Sequence, residues 1–506
     1  MSVPGWSPLA EEGDARRVVL IGTGPAGAAA AVTLHRAGIA VTVLEAGQES
    51  ASHGLTVRAP GLTLAHLRSS RLDYPPDSRA EPDGPPHWFF DLSPGGLTNH
   101  WSCAVPRFAP QDFTDGERLG EPWRWPIGYD DLRTDYSAME LLLHVGGGGE
   151  DVPNLPANQV RHRIRLAEDW AELIAQATAR GHGLTALPKA YGTDWTLTRG
   201  ATPFNSYLRL VKRIPRSRRF QVVFGARATR LAWSPEQGRV VRVHYLDPSG
   251  QEHALAASAV VVAAGALSSS RLLLESRSAD FPEGLGNGHG LVGRYLHDHP
   301  LGKLEVEVQR PLSIHPPAYL TRAPYGETPP LSGVASILWS GTGTRLRSWL
   351  RLEPDKSAQI GFNLFGSMTP KESTRMTLEP AGSGRTTPVS VQLRFEDECL
   401  REMDRARDRL LEILDAAGLR PRVKEWFIEK PGWSVHFGGT SRMHTSPKYG
   451  VVDGFCRLHG VPNVRVVDSG CFTTGPEKNP TLTAMAIAAR ACRQLAEELR
   501  SGSAAA

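Results

Sequence analysis

The hydropathy pattern opens with an unbroken apolar run, Val18-Val19-Leu20-Ile21, of the kind that a strand buried on both faces requires. It gives way to Gly22, Gly24 and Gly27, then to Ala28, Ala29, Ala30 and Ala31, small side chains that predict a closely packed helix. A second apolar run, residues 39–44, closes at Glu45. Strand, glycine turn, helix and strand predict one parallel βαβ unit. Further strands are expected at Phe220–Phe224, 240–246 and 259–265. The last leads into a helix at Ala266 that runs on past Arg271, a second βα turn that returns the chain to its first sheet. From 301 to 360 apolar and polar positions alternate between turn residues, which predicts antiparallel sheet and the start of a second region. Helical spacing is read at 129–144, 161–179, 396–417 and 481–499, and Thr202 is expected to cap a short helix with Pro203 at its first position. Gly146 and the glycines after it, to Gly149, read as a flexible break.

The glycine spacing is G-x-G-x-x-G, and it stands in register between a strand and a helix. Gly22 permits the tight turn, Gly24 lets a phosphate approach the backbone, and Gly27 lets the helix pack on the strand. The helix start presents free N–H groups and a positive dipole end to that phosphate. Glu45 supplies a carboxylate for both hydroxyls of an adenosine ribose. It has no Arg beside it, which argues against a 2′-phosphate. NAD and FAD remain.

The length of 506 residues implies two domains, or one with large insertions. A net charge of +4 is small for that length and gives no reason to expect nucleic acid or a membrane surface as partner. The basic run Arg209, Lys212, Arg213, Arg216, Arg218, Arg219 lacks interleaved aromatics and reads as a solvated face. Five dispersed cysteines, without a C-x-x-C pair, fit a reduced, cytoplasmic protein. No signal peptide is read in residues 1–16, and the longest apolar run is too short to span a bilayer.

Candidate chemistry sits in three places. Residues 93–108 join the paired glycines Gly95-Gly96 to Asn99, His100, Trp101 and Ser102, where a backbone can lie flat against a planar ligand beside a nucleophilic and a stacking ring; on residue chemistry alone a buried aromatic turn is the favoured reading. His297-Asp298-His299 suggests a metal, but no third ligand has useful spacing, so no metal is expected. His436 and Asn479 would suit alcohol oxidation if they met beside a flavin. A neutral imidazole takes the hydroxyl proton as hydride leaves the same carbon, and the amide holds the substrate oxygen. Taken singly, each is more ordinary: a structural histidine and a helix cap.

At these residues the chain resembles the glucose–methanol–choline oxidoreductases. The carriers are Gly22-x-Gly24-x-x-Gly27 with Glu45, Gly95-Gly96, Ala264-Gly265-Ala266-Leu267, Val292-Gly293-Arg294 with His297-Asp298-His299-Pro300, His436-x-x-Gly439-Thr440 and Val467-Asp468-Ser469. The resemblance covers nearly the whole chain. It implies FAD and not NAD, and an α/β fold: a discontinuous Rossmann-like FAD-binding domain (14–110, 200–300 and 431–506) with an α+β substrate domain whose antiparallel sheet covers the flavin (111–199 and 301–430). It implies His436 as base and Asn479 as its partner. Expected flavin contacts are Gly22, Gly24, Pro25, Ala26, Gly27, Glu45, Gly96, Asn99, His100, Ser102, Ala228, Ala264, Asp468 and Thr481. Within the family the chain looks closest to pyranose oxidases and related glycoside oxidoreductases. In those oxidases the histidine matching His100 bonds covalently to the flavin. The His-Trp pair also occurs in relatives without that bond, and non-covalent binding is the expectation here, with attachment at His100 as the alternative. The implied activity is oxidation of a secondary alcohol of a sugar or glycoside to a ketone, with hydride passing to flavin N5 and electrons to oxygen or another acceptor. Rivals are oxidation of a non-sugar alcohol, a flavin-containing lyase and, from the glycine motif alone, an NAD-dependent dehydrogenase. Substrate identity and oligomeric state have no readable code in this chain.

Overall fold

The computed structural model describes residues 17–49, 78–80, 88, 91–99, 101–148, 152–160, 162–190, 204–309, 312, 318–322, 335–340, 358–379 and 387–502. Five parallel strands form one sheet in the order Val464–Val466, Ala259–Val262, Arg17–Ile21, Ala40–Glu45, Phe220–Phe224. The interior strands are buried almost throughout, which is why they read as continuous apolar runs rather than as alternation. Helix Pro25–Arg36 packs on helix Thr481–Ser501, both rich in buried alanines, so the first and last helices among the described residues share one layer. The parallel sheet and its helices thus draw on widely separated stretches of sequence.

Two backbone approaches fix the first turn. Gly22 has φ +95°, and a Cβ there would stand 2.6 Å from the carbonyl oxygen of Ala263. A Cβ at Gly27 would overlap the carbonyl of Gly22 itself. The turn therefore nests directly against the end of the Ala259–Val262 strand, and only hydrogen fits between.

A second, six-stranded antiparallel sheet runs in the order Arg422–Ile428, Leu301–Val308, Ala358–Phe365, Ala335–Ser340, Ala318–Leu320, Leu184–Ala186. Its register sets Leu301 opposite Phe365. The amphipathic helix Asp397–Ala416 lays Met403, Leu410, Ile413 and Leu414 against it, and helix Ala171–Ala179 completes that core. This is the antiparallel region that the alternation between 301 and 360 predicted.

Some local expectations change. Helix 161–179 begins only at Ala171, after a short 3₁₀ turn. Upstream, Ile164 and Leu166 alternate with arginines, an extended pattern rather than a helical one. Gly146 is no flexible break. It pairs with both His162 and Lys189, and residues 145–148 are buried; Gly149 lies outside the described residues. The short helix after it is Ser206–Arg209, capped by Asn205, whose side-chain oxygen accepts from the Leu208 N–H at 2.8 Å. The expected cap, Thr202, and Pro203 lie outside the described residues. The 240–246 run forms strand Arg239–Leu246 in its own three-stranded antiparallel sheet, apart from the parallel one.

Because Gly27 faces a carbonyl and not a flexible side chain, nothing nearby can give way. Gly27→Ala is expected to cost at least about 2 kcal/mol and to open the turn. A lowered melting temperature with a reduced flavin-to-protein absorbance ratio is the outcome to look for.

Candidate active site

A cavity of about 850 Å³ runs from the glycine turn to the end of the antiparallel sheet. Gly22, Gly24, Pro25, Ala26, Glu45 and Ala228 line it at the first βα turn and its flanks, Gly96, Ser102, Ala264, Asp468 and Thr481 line it further on, and His436 and Asn479 line it with Leu301 and Phe365. A Cβ built at Gly24 meets nothing within 4 Å, so the backbone there faces open space, as a phosphate cradle requires. Glu45 is held from one side: the Thr23 N–H and hydroxyl donate to Oε2 at 2.9 and 2.5 Å, and Gly47 N–H donates to Oε1 at 2.9 Å. Burial raises its carboxyl above the ordinary value, and those three donors oppose the rise. Asp468 takes Gly265 N–H at 3.0 Å, Gly470 N–H at 2.9 Å and the Ser269 hydroxyl, which joins the second βα turn to the last strand. The shape and donor set fit an extended dinucleotide, with the ribose end at Glu45 and the other end at His436.

His436 and Asn479 meet. Asn479 Nδ2 lies 3.2 Å from His436 Nε2, and His436 Nδ1 lies 3.1 Å from His299 Nδ1. The His299 ring also bonds to the backbone of Pro476, which has no N–H and can only accept. With the His299 proton on Nε2 for that bond, its Nδ1 accepts from His436 Nδ1–H. The lone pair of His436 is then on Nε2, facing the Asn479 amide and the cavity. Burial pushes the His436 pKa down to about 3, so the ring is neutral, with a lone pair on one nitrogen, throughout the neutral range. Asn479 Oδ1 is buried and has no hydrogen-bond partner among the described residues, an acceptor left for a ligand group.

Asp298 aims this pair. It is fully buried, and its carboxylate receives Gly432 N–H at 2.7 Å, His436 N–H at 3.1 Å and the Ser434 hydroxyl. Those donors bracket the turn that carries His436. Within that turn Val435 has φ +58°, a left-handed conformation that a β-branched residue adopts only under constraint. His297, the other half of the sequence pair, exchanges backbone bonds with Gly438 and so docks the strand after the base.

Of the expected flavin contacts, Gly27 and Asn99 do not line the cavity. Gly27 is spent on helix packing. Asn99 is buried with its amide bonded to Asp91 and Asn205, so it braces the 91–99 turn. His100 lies outside the described residues; its neighbour Trp101 lines the cavity and donates Nε1–H to the Phe204 carbonyl at 2.6 Å. Sequence reasoning missed Asp298 and His299 as partners of His436, although the His-Asp-His triplet drew attention as a metal question.

Residues 17–346 match the FAD binding domain family, and residues 370–488 match the GMC oxidoreductase family. The chain is 29% identical to 6'''-hydroxyparomomycin C oxidase of Streptomyces lividus, over 98% of this chain and 94% of that one. It is 26% identical to 2-methyl-1,2-propanediol dehydrogenase of Mycolicibacterium austroafricanum, over 94% of each. Its fold is similar to that of formate oxidase from Aspergillus oryzae, with a TM-score of 0.66, 15% identity, and 96% and 98% of the two chains covered.

His436→Ala is expected to slow flavin reduction by about 10³-fold with flavin content unchanged. The pH profile distinguishes the base from its support. Asp298 is raised to about 6 by burial, so its carboxylate is intact above that pH and is lost as pH falls through it. An acid limb near pH 6 in kcat/KM should therefore vanish in Asp298→Asn, which is slow at every pH, while His436 contributes no limb there.

Proposed function

Since the chain belongs to the GMC oxidoreductases and is an FAD-dependent enzyme acting on CH–OH groups, we propose that it oxidises a secondary alcohol of a sugar or glycoside to a ketone. The observation that carries this is the pairing of a neutral, tautomer-fixed His436 with Asn479 at the end of the dinucleotide cavity. Bound FAD supplies the hydride acceptor and passes electrons on to oxygen or another acceptor. Gly22, Gly24, Pro25, Ala26, Glu45 and Ala228 would hold its adenosine and phosphates, and Gly96, Ser102, Ala264, Asp468 and Thr481 the remainder.

The chain's own part is positional. His436 Nε2 accepts the hydroxyl proton of the substrate. Asn479 donates to the substrate oxygen and fixes which C–H faces the cofactor. Leu301 and Phe365 exclude water over the reacting carbon, with the Phe365 ring centroid 5.0 Å from that of His436. His299 keeps the accepting nitrogen unprotonated in the resting site.

The sugar class rests on the resemblance to glycoside oxidoreductases and on the aminoglycoside named in the Streptomyces lividus relative. A second reading, a non-sugar alcohol, is favoured by the diol named in the Mycolicibacterium relative. A cytoplasmic location belongs to the same proposal, supported by five cysteines that are all free thiols. Among the described residues no helix is long and apolar enough to cross a membrane.

The test is anaerobic mixing of the holoenzyme with sugars, glycosides and acyclic diols. Bleaching of the flavin band near about 450 nm by a pyranoside, with a ketosugar as product, is expected. Bleaching by acyclic alcohols alone selects the second reading, and bleaching by none overturns both. The mass of the denatured protein reports whether the flavin is covalently attached, and the mass of the peptide containing His100 whether it is attached there.

A further inference from the structure

Lys478 is a buried ammonium directly before Asn479, and the chemistry described so far makes no use of it. A lysine left only 1% exposed is tolerated in a fold when opposite charge surrounds it. Its Nζ lies 2.7 Å from Asp112 Oδ2 and 3.1 Å from Glu477 Oε1. Glu477 Oε2 lies 3.7 Å from Arg322 Nη1, and Arg322 Nη2 lies 4.0 Å from Asp115 Oδ2. All five residues are buried. Burial works to raise the Glu477 carboxyl, but Lys478 and Arg322 outweigh it and hold the group below its ordinary value, so it is ionised.

The five come from three places in the fold. Asp112 lies in helix Pro110–Thr114 and Asp115 directly after it, and Asp112 Oδ2 also takes the Ala109 N–H at 2.6 Å. Arg322 stands just past strand Ala318–Leu320 of the antiparallel sheet. Glu477 and Lys478 lie in the stretch that leads into helix Thr481–Ser501. That stretch carries the Pro476 carbonyl, which accepts from His299, and the Asn479 amide, which lies 3.2 Å from His436 Nε2. Further upstream it is tied through Thr474, whose hydroxyl accepts the Trp125 Nε1–H at 2.7 Å. A side chain clamped at its charged tip limits where its own Cα can move. The residue after Lys478 is the one that orients the alcohol, and a shift of about 1 Å at such a group costs on the order of 10²-fold in rate.

We propose that Lys478 is a positioning residue of this enzyme: its buried ion pair with Asp112 fixes the backbone from which Asn479 holds the substrate oxygen. This rests on the role given above to Asn479, and it holds for a sugar and a non-sugar alcohol alike. Lys478 acts through its neighbour, so its removal slows the bound complex more than it weakens binding.

The experiment follows anaerobic flavin reduction in the holoenzyme by the best alcohol of the panel. Lys478→Met combined with Asp112→Asn removes both charges of the pair, and Glu477 keeps Arg322. Reduction at saturating alcohol is expected to slow about 10- to 100-fold, with KM within about threefold and flavin content unchanged. In an Asn479→Ala background, itself slow, the same two substitutions should change the rate by no more than about twofold, because the group they position is gone. Asp112→Asn alone leaves an acceptor for the ammonium; it should give a smaller slowing with the same dependence on Asn479, and it carries the test if the paired variant does not fold. As a control, Arg465→Met with Glu498→Gln breaks another buried pair, 2.5 Å apart, that joins the last strand to the far end of helix Thr481–Ser501. It should lower the melting temperature and leave the reduction rate within about twofold. An unchanged rate in the Lys478 and Asp112 variants, equal slowing with and without the Asn479 side chain, or equal slowing in the control overturns the positioning role and leaves the reading of Asn479 standing. If Asn479→Ala reduces at the wild-type rate, or no alcohol reduces the wild type, that reading has failed and the positioning role falls with it.

Discussion

Everything downstream of the first strand depends on a backbone-to-backbone contact that admits no side chain. The Gly22 turn lies against the carbonyl of Ala263, and Gly27 lies against the carbonyl of Gly22. This brings the first βα turn and the second, at Ala263–Ala266, to a common edge of one sheet. The cavity opens there because both helices start there, and helix starts are where backbone N–H groups are free. Any bulk at these positions would separate the two turns and with them the two halves of the cradle. The glycines are thus a packing requirement first and a phosphate-binding device second.

At the far end of the cavity the organising element is a charge rather than a void. A carboxylate as deeply buried as Asp298 needs several donors, and here the donors are the turn that carries the base. The acid follows directly on His297, which pairs with Gly438, and directly precedes His299, which meets His436 ring to ring. Three consecutive residues therefore set the strand, the turn and the tautomer of one imidazole. The strain at Val435 is tolerated because the hydrogen bonds around it over-determine the turn.

What could be read from sequence follows the range of the forces involved. The three interior parallel strands were legible because burial on both faces leaves an apolar run, whereas Val464–Val466, interrupted by Arg465, was not read as a strand; the first turn was legible because glycine has few other reasons to recur at that spacing. The antiparallel region showed through alternation, although its strand order did not. Helix 161–179 was over-read at its start, where Ile164 and Leu166 stand two apart, the spacing of an extended chain. The convergence of His436 and Asn479 came from resemblance, not from pattern, since a hydrogen bond across 43 positions leaves no local trace. Asp298 and His299 were hidden for a related reason. A His-Asp-His triplet has the same letters whether it binds an ion or braces a neighbour, and only the three-dimensional partners decide. Asn99 was expected as a flavin contact through resemblance alone; its side-chain amide bonds to Asp91 and Asn205, partners that no local pattern announces.

The strand order of the parallel sheet also bears on how the protein is made. Ala259–Val262 is flanked by Arg17–Ile21 on one side and by Val464–Val466 on the other, so a nascent chain on the ribosome can pair only one of its edges until about two hundred more residues have emerged. At roughly 5–20 residues per second that wait is on the order of 10–40 s, during which a wholly aliphatic strand offers an open edge. The cradle cannot close, nor the proton acceptor be seated, before His436, strand Val464–Val466 and Asn479 have emerged. Flavin loading therefore waits on residues far along the chain from the first glycine turn.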